Sequence, residues 1–311
     1  MTHADIEALV KQFLVHTATQ GTPDARAQQV VVRLTTDLFK AIEDLDLSAT
    51  EVWKGIEYFA EAGATHELGL LAAGLGLERF LDIRADEAEA RAGLTGGTPR
   101  TIEGPLYVAG APESTGFARL DDGTEDGTAD NKGEVLFMQG TVYDTDGKPL
   151  AGAKVEVWHA NLLGNYSFFD KSQSHFNLRR TIVTDANGRY QFRSIVPMGY
   201  GCPPEGTTQR LLNLLARHGR RPAHIHFFVS AAGHRKLTTQ INIDGDEYLW
   251  DDFAFASRDG LVPAVERVED AAQLDKHGVS KPFASIDFDF RLLREASDAP
   301  AAEVDRLRAA A

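Results

Sequence analysis

The spacing of apolar residues changes most sharply along this 311-residue chain near residue 95. That change limits the possible folds more than any other feature. Before it, apolar residues recur at intervals of three and four, the signature of amphipathic helices. Ile6, Leu9, Val10, Phe13 and Leu14 form one stripe, and Val31, Leu34, Leu38, Ile42 and Leu45 form a second after Pro23. Ser48-Ala49-Thr50-Glu51 is a capping box that starts a third helix ending near Gly63. A fourth helix is predicted from a cap at Thr65 through Leu68, Leu71 and Leu75 toward Leu81, across Gly69, Gly74 and Gly76. Such stripes pack on one another, on a neighbouring layer or on a second subunit.

From Thr95 to Thr115 the chain is rich in glycine and proline, which is linker chemistry. Beyond it the period falls to two. Strands are predicted over Val135–Tyr143, Ala153–Trp158, around His226, over Thr238–Asn242 and over Phe283–Phe290. Thr181–Thr184 and Arg189–Phe192 flank Asp185-Ala186-Asn187-Gly188, a hairpin signal. One helix, Thr207–His218, interrupts the series. The expected class is α+β: a helical N-terminal region (1–95), a linker (96–115), and an Ig-like antiparallel β-sandwich with a C-terminal tail (116–311).

Composition excludes several roles. The chain carries 46 acidic against 32 basic residues, net −14, and has no basic stripe, so a phosphate backbone would be repelled. The single cysteine, Cys202, rules out an intrachain disulfide and a thiolate metal cluster, and fits a reducing compartment. No secretory signal is visible after Met1, and no run of 18 apolar residues occurs; the expectation is a cytoplasmic protein outside the membrane.

The chemistry is carried by four side chains. His224 and His226 lie two apart on a strand, so they share one face. By themselves they read equally well as core histidines or as ligands. Tyr166 and Tyr200 lie in glycine-rich loops that follow strands, where binding residues collect. A phenol with a pKa of about 10 is a poor ligand for most divalent ions. A trivalent cation favours the phenolate, a hard oxygen donor suited to ferric iron.

Three motifs together, Gly164-Asn165-Tyr166-Ser167, Pro197-Met198-Gly199-Tyr200-Gly201 and Arg221-Pro222-Ala223-His224-Ile225-His226, resemble the intradiol ring-cleaving dioxygenases. The runs Val155–Asn161, Asn177–Thr181 and Leu237–Asn242 are similar to the catechol 1,2-dioxygenase branch in particular. The likeness extends through Thr101–Tyr107 into the helical front at Leu70–Gly76, and so covers nearly the whole chain.

This resemblance implies one non-haem Fe(III) per subunit, held by Tyr166, Tyr200, His224 and His226. It implies cleavage of catechol by O2 between its hydroxyl-bearing carbons to give cis,cis-muconate, in the β-ketoadipate route of aromatic catabolism. Tyr200 would double as ligand and base, Arg221 would stabilise negative charge, and Gln240 would be a second polar group near the site. Leu71, Ile102, Pro105, Leu106, Cys202, Phe253 and Ala254 would line the substrate pocket. The helical front would build a homodimer interface where a phospholipid can lie. A chlorocatechol or hydroxyquinol 1,2-dioxygenase shares the same ligand motifs. A zinc hydrolase lacks a third ligand motif, and a non-catalytic β-sandwich binding module is the reading from a different class.

Overall fold

The computed structural model describes residues 1–16, 21–123, 132–295 and the strand at 309–310. The rest of the expected C-terminal tail lies outside the described residues. The chain divides into two compact units, Met1–Thr65 and His66–Ala311.

The first unit holds α1 (His3–Leu14), α2 (Ala25–Asp44) and α3 (Ala49–Ala64). Ser48 and Glu51 form the expected capping box on α3, and Thr2 and Asp5 form another on α1. α1 buries Ile6 and Val10, and Lys40 of α2 donates to Glu7 of α1 at 2.7 Å. Leu34 and Leu38 of α2, and Trp53, Ile56 and Phe59 of α3, are exposed.

The second unit begins with α4 (Leu68–Gly74) and α5 (Leu77–Arg91). Here the single fourth helix of the sequence reading fails twice. Thr65 closes α3 instead of opening α4, its hydroxyl donating back to the carbonyl of Glu61 at 3.1 Å. The helix then breaks at Gly76, whose φ of 77° is left-handed; lacking a Cβ, glycine ends a helix there at little steric cost.

The strands follow: β1 (Val108–Ala109), β2 (Glu113–Thr115), β3 (Phe117–Arg119), β4 (Val135–Asp144), β5 (Lys154–His159), β6 (Arg179–Val183), β7 (Arg189–Ile195) and β8 (Tyr200–Gly201). After α6 (Thr207–Leu214) come β9 (Arg220–Arg221), β10 (His224–Ser230), β11 (Leu237–Asn242) and β12 (Glu266–Val268). Beyond α7 (Ala271–Lys276) lie β13 (Phe283–Asp287), β14 (Phe290–Leu292) and β15 (Ala309–Ala310). α6 stops four residues short of the expected His218, because Ala216 turns to a φ of 53°.

Two sheets pack face to face, in the orders β11-β10-β5-β6-β2 and β12-β13-β4-β7-β3, with β14 also on β4. Val155, Val157, Ile225, Phe227 and Ile241 from the first meet Leu136, Met138, Phe192 and Ile286 from the second in one buried core. The sandwich is as expected, but its sheets are mixed and not purely antiparallel. β5, β6, β10 and β11 are antiparallel neighbours, whereas β2, β3 and β14 join their partners in parallel, and β13 is parallel to β4 but antiparallel to β12. Parallel partners need long connections, and these strands lie far along the chain from the strands they join.

The hairpin expected at Asp185–Gly188 is also corrected. The turn is present, with Gly188 N–H donating to Asp185 O at 3.0 Å, yet β6 and β7 belong to different sheets. Turn chemistry is local, while the pairing partner is set by which sheet face each strand must bury.

Candidate functional site

β10 alternates as a strand must, but both of its faces are buried. Ile225, Phe227 and Val229 enter the core between the sheets. His224, His226 and Phe228 point the other way, under the linker and the loops that follow β5 and β7. The expectation that His224 and His226 share a face therefore holds.

Strand register supplies their neighbours. His226 sits opposite Trp158 on β5 and opposite Gln240 on β11. The Trp158 and His226 rings stack with centroids 5.0 Å apart and 5° between planes, which fixes the imidazole plane. Gly104 of the linker passes directly above, and a Cβ there would lie 3.8 Å from His226 Cε1.

The tyrosines arrive on two loops that touch. Gly164, two residues before Tyr166, has φ +77°, and a Cβ on it would lie 2.6 Å from Tyr200 Cβ. Only glycine allows this approach, which leaves the two tyrosine rings edge to face with centroids 5.6 Å apart. Buried Arg179 fastens the Tyr166 loop, donating to Ser167 Oγ at 2.9 Å and to Ser167 O at 3.0 Å. Tyr200 is placed by the short β8–β9 ladder, opposite Arg221.

The donor atoms converge. Tyr166 Oη lies 3.5 Å from His224 Nε2, which lies 3.0 Å from His226 Nε2. Arg221 Nη1 lies 3.0 Å from His224 Nε2 and 3.4 Å from Tyr200 Oη. His224 Nδ1 is 2.6 Å from the carbonyl of Pro222, so it carries the proton and leaves the Nε2 lone pair facing the cluster. Burial, then the Arg221 charge, pushes the His224 imidazole down to about 3; burial and His224 hold His226 well below its ordinary range. Both rings are thus neutral. Burial, reinforced by Tyr200, drives the Tyr166 phenol well above its ordinary value.

Arg221, 3% exposed, is fully committed. Its Nη2 donates to Gln240 Oε1 at 2.8 Å and to Asp252 Oδ2 at 3.1 Å, and its Nε donates to Asp252 Oδ1 at 3.2 Å. Burial works against its charge, but Asp252 and Tyr200 outweigh burial and keep it firmly protonated.

The expected pocket residues fall into several settings. Ile102, Cys202, Phe253 and Ala254 share one buried apolar cluster with Ala73 and Leu212. Leu106 packs on Trp158, Tyr166 and Phe228. Leu71 is buried on α4, whereas Pro105 is exposed. Burial pushes the Cys202 thiol up to about 12, so it remains inert.

Two residues escaped the sequence reading. Asp252 is one of two adjacent aspartates, and nothing in the sequence separates it from Asp251. Arg179 lies within a motif that carries the resemblance, but its grip on Ser167 spans a fold that only the structure reveals. A third buried histidine, His159, is satisfied on both nitrogens, by Ala160 O at 2.8 Å and Ser194 Oγ at 2.7 Å, and stands apart from the cluster.

A helical front joined to a β-sandwich, with paired tyrosines and histidines under its linker, is what the ring-cleaving dioxygenases were expected to show. The chain belongs to the dioxygenase family: a family model described as "Dioxygenase" matches residues 102–294, and one described as "Catechol dioxygenase N terminus" matches residues 24–93. It is 62% identical to a catechol 1,2-dioxygenase of Acinetobacter guillouiae over 96% of this chain and 97% of that one. The solved wild-type catechol 1,2-dioxygenase of Acinetobacter radioresistens superposes with a TM-score of 0.96 at 65% identity, covering 100% of this chain and 99% of that one. A hydroxyquinol 1,2-dioxygenase of Rhizobium is more distant, 34% identical over 87% of this chain and 90% of its own. No helix among the described residues is long and apolar enough to cross a membrane.

Proposed function

We propose that this chain is an intradiol dioxygenase that cleaves catechol with O2 between its hydroxyl-bearing carbons, giving cis,cis-muconate. We propose further that Tyr166, Tyr200, His224 and His226 hold one non-haem Fe(III) per chain. The observation that carries this reading is the convergence of two phenols and two neutral imidazoles beside a buried arginine.

The donor set fits a ferric ion. Among the described residues no group of three or more His, Cys, Asp or Glu could hold a metal, and the two phenols would complete the donor set of His224 and His226. His224 Nε2 lies 3.0 Å from His226 Nε2 and 3.5 Å from Tyr166 Oη, so three buried donor atoms face one point. Such a set of nitrogen and oxygen donors suits a cation. Its charge would also reverse the burial cost that keeps Tyr166 protonated. Bound there, Fe(III) would supply the Lewis acidity that lowers the pKa of catechol and favours its deprotonated, electron-rich form, the one that reacts with O2.

The chain's own groups do the rest. Tyr200 Oη, half-buried and within 3.4 Å of Arg221 Nη1, is placed to accept a catechol proton. Arg221 keeps a fixed positive charge against the negative charge that develops on the substrate; losing one such preorganised donor costs about 3–4 kcal/mol of barrier. Gln240 fixes the orientation of that guanidinium. Ile102, Phe253 and Ala254, which share one buried apolar cluster, would bind the ring and exclude water.

The test is oxygen-18 incorporation with catechol: muconate carrying both labelled atoms supports the reading, and catechol left intact by iron-loaded protein refutes it. Tyr200→Phe is expected to retain iron and lose most turnover; wild-type turnover would remove Tyr200 from the proton step. A cytoplasmic homodimer also belongs to this reading. The exposed Leu34, Leu38, Trp53, Ile56 and Phe59 support pairing through the helical front, where the family's phospholipid would lie. Light scattering and mass spectrometry of a solvent extract test the dimer and the lipid in turn.

A further inference from the structure

We propose that Asp252 is a positioning residue that ties the Arg221 charge to the turn carrying Phe253 and Ala254, the residues expected to line the pocket. This rests on the dioxygenase reading above and extends it to a residue that does not itself face the donor cluster.

The carboxylate of Asp252 is saturated by two groups of partners. One is Arg221, through Nε to Oδ1 at 3.2 Å and Nη2 to Oδ2 at 3.1 Å. This is a fork-to-fork ion pair whose side chains are 4% and 1% exposed. The other is the backbone just downstream, where Ala254 N–H donates to Oδ1 at 3.0 Å and Ala256 N–H to Oδ2 at 3.3 Å.

Between those two amides stands Phe255, whose φ of 55° is left-handed and costly for a residue with a Cβ. Such a conformation persists only where its surroundings over-determine it. Here that is done by the Asp252 side chain, by its carbonyl accepting from Phe255 N–H at 2.9 Å, and by the guanidinium of Arg217 lying 4.7 Å over the Phe255 ring. One carboxylate therefore shapes the turn that carries Phe253 and Ala254 and also grips the arginine.

The arms of Arg221 are divided accordingly. Nε and Nη2 face Asp252 and Gln240, and Nη1 alone reaches Tyr200 and His224. A rotation of the guanidinium would swing Nη1 off the cluster, and Asp252 holds two of the three nitrogens against it. A ring substituent pressing on Phe253 or Ala254 would act on the same carboxylate, so pocket shape and charge placement are coupled.

The experiment is a double-mutant cycle on the iron-loaded enzyme with Asp252→Asn and Arg221→Leu, read by single-turnover rate, by anaerobic catechol affinity and by the ratio of 4-methylcatechol to catechol turnover. Asp252→Asn is expected to lower the rate about 10- to 100-fold, to leave iron content and catechol affinity near wild type, and to shift the substrate ratio. In the Arg221→Leu background the same change is expected to cost little more, and Asp252→Glu is expected to restore part of the loss. An equal rate loss in both backgrounds, or an unaltered substrate ratio, overturns the coupling. Should Asp252→Asn not fold, Asp252→Glu, which moves the carboxylate by one methylene, carries the same cycle. Wild-type protein inactive on catechol would refute the dioxygenase reading itself, separately from any outcome of the cycle.

Discussion

Gly164→Ala isolates the contact that brings the two tyrosine loops together. Two effects act at that position. The backbone is left-handed, with φ +77°, where a Cβ costs about 1–2 kcal/mol. The new Cβ would also lie 2.6 Å from Tyr200 Cβ, roughly an ångström inside ordinary contact, and forced overpacking of this kind costs about 1–3 kcal/mol. Alanine recovers about 0.4–1 kcal/mol by restricting the unfolded chain. The balance is a loss of about 2–4 kcal/mol. Gly152→Ala is the control, because Gly152 has nearly the same φ, +73°, with nothing within 4 Å of its Cβ position. Its loss should be about 1 kcal/mol, the strain alone. Both follow from urea unfolding of iron-free protein. Since the ladder with Arg221 holds Tyr200 in place, Gly164→Ala should also displace the phenol and shift the visible tyrosinate absorption after iron loading. Equal losses in the two variants, with unchanged absorption, would refute the claim that the Gly164–Tyr200 approach assembles the site.

Three further outcomes are expected. Burial raises Asp82 to about 6, against the opposing charges of Arg258 and Arg100. The folded state therefore binds its proton more tightly than the unfolded chain, so this contribution to stability is full below about pH 4 and is lost as pH rises through 6. At about 1.4 kcal/mol per unit, the loss is of order 2–3 kcal/mol; the stability difference between wild type and Asp82→Asn should change by that much from pH 4 to 7, and a flat difference would contradict it. Glu67→Ala removes the carboxylate that accepts from Thr207 N–H at 3.2 Å and Thr208 N–H at 2.9 Å, and should cost about 1 kcal/mol in denaturant unfolding as α6 loses its cap. Chelation of the loaded protein should abolish the visible band and the activity together, and ferric iron, not zinc, should restore both.

The sequence alone determined the first three helices and the long strands, because amphipathic stripes and strand alternation are local statements about burial. It also placed His224 and His226 on one face, since alternation along β10 needs no knowledge of β10's neighbours. At Gly76 the continuing leucine stripe masked a local glycine signal, whereas the turn at Gly188 led into the opposite sheet because strand pairing depends on what lies across the fold. The tyrosines were legible as chemistry only through motif resemblance; their meeting depends on the Gly164 approach and the β8–β9 ladder. Asp252 shows the limit most plainly. It is one of many acidic residues along the chain, and only the fold brings it within reach of Arg221, 31 positions earlier. A carboxylate acquires its role from the cation and amides folded around it, and those partners are assembled by tertiary structure.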